Sequence, residues 1–294
     1  MTDYILSCCS TADLTREHLV SRNIKFIMFH YELNNVIYPD DMGLTMPLKE
    51  FYQAMKDGAM TRTSQINVEE FLEYFEPFLK EGKDIVHACL SSGITGVMNS
   101  ALIAKEMLEE KYPDRTIYII DSLAASSGYG LLIDRMADKR DEGLTAKELY
   151  DWTLENRLNV QHWFFTTDLT YLIRGGRVSK TSGFIGNFLN ICPLLTVDSE
   201  GKLIPKYKIK GKKKVIKETV QKMIEFANEG TNYCDKVYIS NSDCKEDADA
   251  LVSLILENFP NLKGKITIFN IGTTIGSHTG PGTVALFFWG KKRD

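Results

Sequence analysis

Several hydroxyl-bearing and basic side chains of this sequence are suited to binding an anion. Ser91 and Ser92 follow the apolar run 84–90 and precede a helical pattern over 96–112. A helix N-terminus carries unpaired N–H groups and a partial positive charge, and hydroxyls add neutral donors. The turn therefore predicts a pocket for a carboxylate or a phosphate. The alternative is a capping turn that holds no ligand.

Three further candidates lie far from this turn in the sequence. Thr63 belongs to the polar segment 61–65, which we interpret as a loop. Arg177 can give a two-pronged contact to an anion, although a surface ion pair is an equal alternative. His278 lies in the glycine-rich segment 276–282, also interpreted as a loop, and can bind an anion or move a proton near neutral pH. An ordinary surface histidine is the alternative there.

The usual motifs of nucleotide sites, metal sites and serine hydrolases are missing from the sequence. It contains neither G-x-x-x-x-G-K-[ST] nor G-x-G-x-x-G after a strand, which argues against an ordinary nucleotide site. The six cysteines form no C-x-x-C pair, so we predict buried, reduced thiols and no metal site. No serine lies in a G-x-S-x-G elbow. A hydrolase that uses Ser92 and His278 remains the weaker, enzymatic alternative.

Composition narrows the protein class. The 294-residue chain is 44% hydrophobic and 25% charged, as in ordinary globular proteins, and its net charge of −4 argues against general nucleic-acid binding. No apolar run approaches the ~20 residues of a membrane span. The first residues do not resemble a signal peptide, which predicts a cytoplasmic protein. The lysine-rich segment 202–222 is either a solvated face or a docking patch for an acidic partner.

The elements that must position these residues alternate in the first half of the chain. Strands separated by helices predict a parallel, doubly wound sheet, in which ligands lie beyond the C-terminal strand ends. The second half is mixed and includes a hairpin around 199–201. We therefore predict an α/β protein with an N-terminal α/β/α domain over 1–158 and a C-terminal α/β domain with a mixed sheet over 159–294. The predicted strands of the first half are 4–9, 25–31, 84–90 and 116–121.

Taken together, seven segments resemble the DegV family of fatty-acid-binding proteins across essentially the whole chain. Each segment alone is weak, but their order and their spread over both halves are specific. One departure is Cys9, where the family usually has an aspartate before the Ser-Thr pair. The matching segments are C-S-T-A-D-L (9–14), T-S-Q (63–65), S-S-G-I-T-G (91–96), D-S (121–122) with two later glycines, L-T-Y-L (169–172), G-G-R-V-S (175–179) and the glycine-rich segment 275–282.

The resemblance implies a two-domain fold that holds a long-chain fatty acid. The carboxylate would be held by Thr63 and Ser92, with Ser91 adjacent and with His278 and Arg177 nearby. The acyl tail would lie in an apolar tunnel, and about 0.8 kcal/mol for each buried methylene can supply tight binding. Candidate tunnel residues, which would serve equally as plain core, are Phe184, Ile185, Phe188, Leu189, Ile191 and Leu194.

The resemblance also implies a role for the bound lipid. Some family members present the fatty acid to a separate fatty acid kinase, which phosphorylates the carboxylate to an acyl phosphate. Such a chain is not an enzyme on its own and needs no cofactor besides the bound acid. The expected partners are thus a long-chain fatty acid and the catalytic subunit of such a kinase.

Overall fold

The computed structural model describes residues 4–179 and 190–294. Within these residues three sheets are present, of four, three and six strands. The two larger sheets and their helices share one continuous apolar core, and a small second core lies under the three-stranded sheet. The four- and three-stranded sheets come from residues before 122, and the six-stranded sheet comes from residues after 159.

The four-stranded sheet is parallel, with the order β2-β1-β6-β7. Helices α3 and α4 pack against each other, and α5 and α6 do likewise. The helix α3 begins at a capping box between Asn67 and Glu70. The elements of this half are β1 Tyr4–Cys9, α1 Arg16–Ser21, β2 Lys25–Ile27, β3 His30–Leu33, β4 Val36–Pro39, α2 Leu48–Lys56, β5 Thr61–Ser64, α3 Val68–Lys80, β6 Asp84–Cys89, α4 Val97–Lys111, β7 Ile117–Asp121, α5 Ser126–Asp141 and α6 Ala146–Asn156.

The three-stranded sheet was not predicted from the sequence. Its strand order is β4-β3-β5, and all pairs are antiparallel. Segment 61–65, interpreted above as a loop, instead contributes β5, in which Thr63 pairs with Tyr31. The predicted strand 25–31 is divided between β2 and β3. The consequence for function is that Thr63 stands on a paired strand and not on a loop.

The six-stranded sheet is mixed, with the order β10-β9-β8-β13-β11-β12. Only β11 and β12 pair in parallel, and the predicted hairpin is formed by β9 and β10. The helix α5 packs on both larger sheets. The elements are β8 Val160–Phe165, α7 Thr170–Arg174, β9 Ile191–Val197, β10 Leu203–Lys210, α8 Lys212–Phe226, β11 Val237–Asn241, α9 Lys245–Asn258, β12 Ile266–Asn270, α10 Thr273–Thr279 and β13 Val284–Trp289.

This arrangement confirms the predicted α/β class, with a parallel sheet in the first half and a mixed sheet in the second. The division at residue 158 stays a prediction. The glycine-rich segment around His278 was predicted as a loop, and this was wrong, because residues 273–279 form α10. None of the helices in the described part of the chain is both long and apolar enough to span a bilayer.

Candidate functional site

A cavity of about 390 Å³ lies between the two halves of the chain, within the size range of small-molecule sites. Its walls are mostly apolar and come from both halves. One end carries hydroxyl, imidazole and guanidinium groups. The apolar lining includes Phe29, Leu90, Phe164, Leu203, Ile275 and Phe287, and the polar end includes Thr63, Gln65, Thr95, Arg177 and His278.

A threonine and a histidine from distant segments meet at the polar end. Thr63 Oγ1 and His278 Nε2 are 2.8 Å apart, and both side chains line the cavity. Two residues earlier on the same strand, Thr61 donates a hydrogen bond to the carbonyl of Ser277 at 3.3 Å, which fixes β5 against α10. When the imidazole Nε2–H donates to Thr63, the Thr63 hydroxyl hydrogen is left to donate to a ligand.

His278 is electrically neutral in this environment. Burial, together with the positive charges of Arg177 and Arg174, lowers the pKa of His278 to about 3. Its Nδ1 atom is buried and has no hydrogen-bond partner among the described residues. The ring lies directly against Gly175, where an added Cβ would be 2.2 Å from Nδ1. Only glycine therefore fits at position 175 beside this imidazole.

Arg177 supplies positive charge to the same end of the cavity. Its Nε donates to the carbonyl of Ile94 at 3.2 Å and its Nη1 to the carbonyl of Gly175 at 2.6 Å. Burial lowers the pKa of Arg177 from its very high usual value. No carboxylate of the described residues forms an ion pair with this guanidinium. A partly buried cation with carbonyl partners and no carboxylate favours an anionic ligand.

Thr95 and Gln65 also line the polar end, and sequence reasoning did not select them. The Thr95 hydroxyl donates to Gln65 Oε1 at 3.2 Å and accepts from the N–H of Val97 at 3.3 Å. Thr95 thus occupies the position at the start of α4 where the sequence analysis placed Ser91 and Ser92 as anion-binding residues. The signal was present, because Thr95 is the second hydroxyl position of the S-S-G-I-T-G segment.

Ser91 and Ser92 are not among the described residues that line the cavity. Ser91 is buried and donates to the carbonyl of Gly201 at 2.9 Å, which joins the turn to the β9–β10 hairpin. Ser92 is exposed, and its hydroxyl donates to the carboxylate of Asp121. The structure therefore brings together Thr63, Arg177 and His278, and it directs both serines elsewhere.

The enzymatic alternative needs Ser92 beside His278, and this pair is not formed. The hydroxyl of Ser92 bonds Asp121, whereas Nε2 of His278 bonds Thr63. A nucleophile and its base must lie within hydrogen-bond reach, or close to it. The geometry does not support a hydrolase built on these two residues.

The predicted tunnel residues are only partly covered by the structure. Phe184, Ile185, Phe188 and Leu189 lie outside the described residues. The remaining two candidates belong to β9, and Leu194 is fully buried in the common core. Val197 of the same strand, which was not predicted, lines the cavity.

A family model described as an uncharacterised protein of the DegV family matches residues 9–291. The chain belongs to the DegV family. A DegV domain-containing protein of Clostridium perfringens is 38% identical over 297 residues, which cover 100% of both chains. The crystal structure of a DegV lipid-binding protein from Thermotoga maritima has a TM-score of 0.84 at 26% identity and 100% coverage of both chains.

A further DegV-like structure is that of the Streptococcus pneumoniae fatty acid kinase B3 protein, loaded with linoleic acid. Its TM-score is 0.83 at 20% identity, covering 99% of this chain and 100% of that one. At this identity the likeness concerns the fold.

Proposed function

We propose that this DegV protein binds one long-chain fatty acid in the cavity between its halves. The observation that carries the proposal is the cavity itself, whose apolar walls lead to an end formed by Thr63, Arg177 and His278. An alkyl chain fits the first environment and a carboxylate fits the second. The lipid-binding relative from Thermotoga maritima and the linoleic acid in the Streptococcus pneumoniae protein support the same ligand class.

The carboxylate accepts a hydrogen bond from the Thr63 hydroxyl, and Arg177 supplies the opposite charge. His278 holds the Thr63 hydroxyl so that its hydrogen points to the ligand. Because His278 is neutral before binding, it acts as the hydrogen-bond partner of Thr63 and not as a second cation for the carboxylate. Ser91 and Ser92, which the sequence suggested as ligand contacts, stabilise the turn and its contact with the hairpin.

The experiment that tests this arrangement is oleate binding by Thr63→Val, which keeps the shape of the side chain and removes its hydroxyl. A hydrogen bond to a charged group contributes about 1.5–3 kcal/mol, so we expect Kd to rise by about 10-fold or more. Fluorescence displacement or calorimetry on the delipidated protein measures it. The matched control is Ser92→Ala, whose affinity should equal that of the wild type. Weaker binding by Ser92→Ala, with Thr63→Val unchanged, would reverse our assignment.

We further propose that the bound acid is presented to a separate fatty acid kinase. The sequence has no nucleotide-binding motif of its own, and the Streptococcus pneumoniae protein of the same fold is a fatty acid kinase B protein. The oleate-loaded protein with ATP alone should therefore form no ADP. Adding a fatty acid kinase catalytic subunit should start ADP formation that depends on loaded protein. ADP formation by the isolated chain would contradict this role.

A further inference from the structure

Two buried cysteines lie side by side where β1 and β6 end. These strands pair in parallel, with Ser7 beside His87. Continuing this register by two residues places Cys9 beside Cys89, the last residues of β1 and β6. Adjacent strands are about 4.8 Å apart, which falls within the Cα separation that a disulfide spans. The two thiols can therefore be joined without moving either strand far.

A histidine contacts the sulfur of Cys9. His87 Nε2 is 3.7 Å from the Sγ atom of Cys9. Burial on its own raises the pKa of Cys9, but the hydrogen bonds from Cys89 and His87 lower it to about 5. The same contact and burial raise the pKa of Cys89. These opposite shifts favour the thiolate at Cys9 and the thiol at Cys89.

A relay of hydroxyls orients the histidine. The Nδ1 atom of His87 is 2.9 Å from Ser7 Oγ, which is itself 2.8 Å from the hydroxyl of Tyr74 on α3. Tyr129 on α5 accepts from the backbone N–H of Cys9 at 3.0 Å. Asp121 on β7 is the charged group that faces Cys89. The thiol of Cys8, next to Cys9 on β1, also interacts with Cys9 electrostatically.

We propose that Cys9 and Cys89 form a hydroperoxide-oxidisable dithiol site, with Cys9 as the attacking thiolate, His87 as its proton partner and Cys89 as the resolving thiol. This site is separate from the lipid carboxylate contacts. Leu90, the residue after Cys89, lines the cavity wall.

Hydrogen peroxide oxidises the two thiols in two steps. His87 first takes the proton of the Cys9 thiol. The Cys9 thiolate then attacks one oxygen of hydrogen peroxide, an S–O bond forms, the O–O bond breaks, and the leaving hydroxide takes that proton back from His87 to give water. Cys9 is then a sulfenic acid, oxidised by two electrons, and the peroxide is reduced. The Cys89 sulfur displaces the sulfenic oxygen, which leaves as water with the Cys89 proton. One peroxide and two thiols give one disulfide and two waters.

Cys8 provides an internal control for access to the core. It is as fully buried as Cys9, and burial raises its pKa. Neighbouring side chains on a strand point to opposite faces, so Cys8 lies outside the cluster. A reaction limited only by peroxide entry would oxidise both cysteines at similar rates. Faster oxidation of Cys9 than of Cys8 would show that the groups around the Cys9 sulfur control its reactivity.

The experiment treats the folded wild-type protein with hydrogen peroxide, blocks remaining thiols with N-ethylmaleimide and maps cysteines by mass spectrometry. We expect a dithiothreitol-reversible Cys9–Cys89 cross-link and at least 10-fold faster loss of the Cys9 thiol than of the Cys8 thiol. The rate should change less than threefold between pH 8 and pH 6, because Cys9 stays ionised. Equal rates at Cys8 and Cys9, or disulfides that involve only the exposed Cys234, would overturn the proposal.

Three cysteine-to-serine variants test which thiols form the cross-link and in what order they react. Cys8→Ser should still form the cross-link at the wild-type rate, whereas Cys9→Ser and Cys89→Ser should not form it. In Cys89→Ser, the Cys9 sulfenic acid should persist and be trapped by dimedone. Absence of that adduct in a folded Cys89→Ser protein, judged by circular dichroism, would contradict the order of the two steps. The wild-type comparison of Cys8 with Cys9 does not depend on the folding of any variant.

Discussion

At the scale of single residues, the polar end of the cavity depends on how Thr63 and His278 share one hydrogen bond. Their atoms are 2.8 Å apart, and the other ring nitrogen of His278 is buried without a described partner. An imidazolium at this position would place a third positive charge beside Arg174 and Arg177. A neutral ring that holds a hydroxyl in place is the consistent arrangement.

This arrangement makes a prediction about pH. Because the pKa of His278 is lowered to about 3, its ring should stay neutral from pH 8 to pH 4.5 in the ligand-free protein. Unfolded histidine protonates near pH 6.5, so this residue disfavours the folded state progressively as pH falls below that value. Imidazole nitrogen shifts in NMR, assigned with His278→Gln, measure the titration. A midpoint between pH 6 and pH 7 would show that the ring is not held neutral.

Some of the residues at the polar end of the cavity could be identified from the sequence. Thr63, Arg177 and His278 were selected from their chemistry and from the family resemblance, and the structure brings them together. Ser92 was selected because a helix start after a strand favours anions. Which hydroxyl of that turn faces the cavity depends on contacts from distant segments. Asp121 accepts from Ser92, and Gln65 accepts from Thr95.

At the scale of elements, the site depends on β5 and α10, and the sequence predicted neither. The strand β5 spans only Thr61–Ser64 and is mostly polar, so its alternation gives little signal. It forms because β3 pairs with it along its whole length. The helix α10 contains Gly276 and is flanked by Gly272 and Gly280, so its intrinsic helix propensity is weak. Packing against α2, α7 and β3 determines its conformation. Long-range contacts override local preference in both cases.

Two buried carboxylates meet where α10 begins. Asp13 accepts from the N–H of Gly272 at 3.0 Å and from Ser126, and Asp40 accepts from Thr273 at 2.7 Å. No cationic side chain of the described chain pairs with either carboxylate. Burial raises the pKa of both, and the charge of Asp40 raises that of Asp13 further. The neutral form of Asp13 is therefore favoured in the folded protein.

The substitution Asp13→Asn should remove the pH dependence of folding stability that the Asp13 carboxyl confers. A carboxyl whose pKa is raised by folding contributes stability below its unfolded pKa of about 3.9, and that contribution is lost as pH rises through the folded pKa. The difference in Tm, variant minus wild type, should therefore increase from pH 5 to pH 8. Thermal denaturation followed by circular dichroism at several pH values measures it. A difference that stays constant or decreases would contradict the account.

At the scale of the whole molecule, the cavity lies between two halves that contact each other at more than one point. Asp134 of α5 contacts His18 at 2.9 Å, Arg22 at 3.3 Å and Lys236 just before β11. Burial alone would raise the pKa of Asp134, but the hydrogen bonds from His18 and Lys236 hold it below its usual range. Together with the contact between Ser91 and the hairpin, this network joins the two halves of the chain.

The mass of what remains bound to the purified protein tests the central claim most directly. Native mass spectrometry, followed by denaturing extraction, should reveal one long-chain fatty acid of about 14–20 carbons per chain. The delipidated protein should regain a 1:1 adduct after incubation with oleate or palmitate. A protein that carries no acid when isolated, and takes up neither acid afterwards, would contradict fatty-acid binding by this cavity.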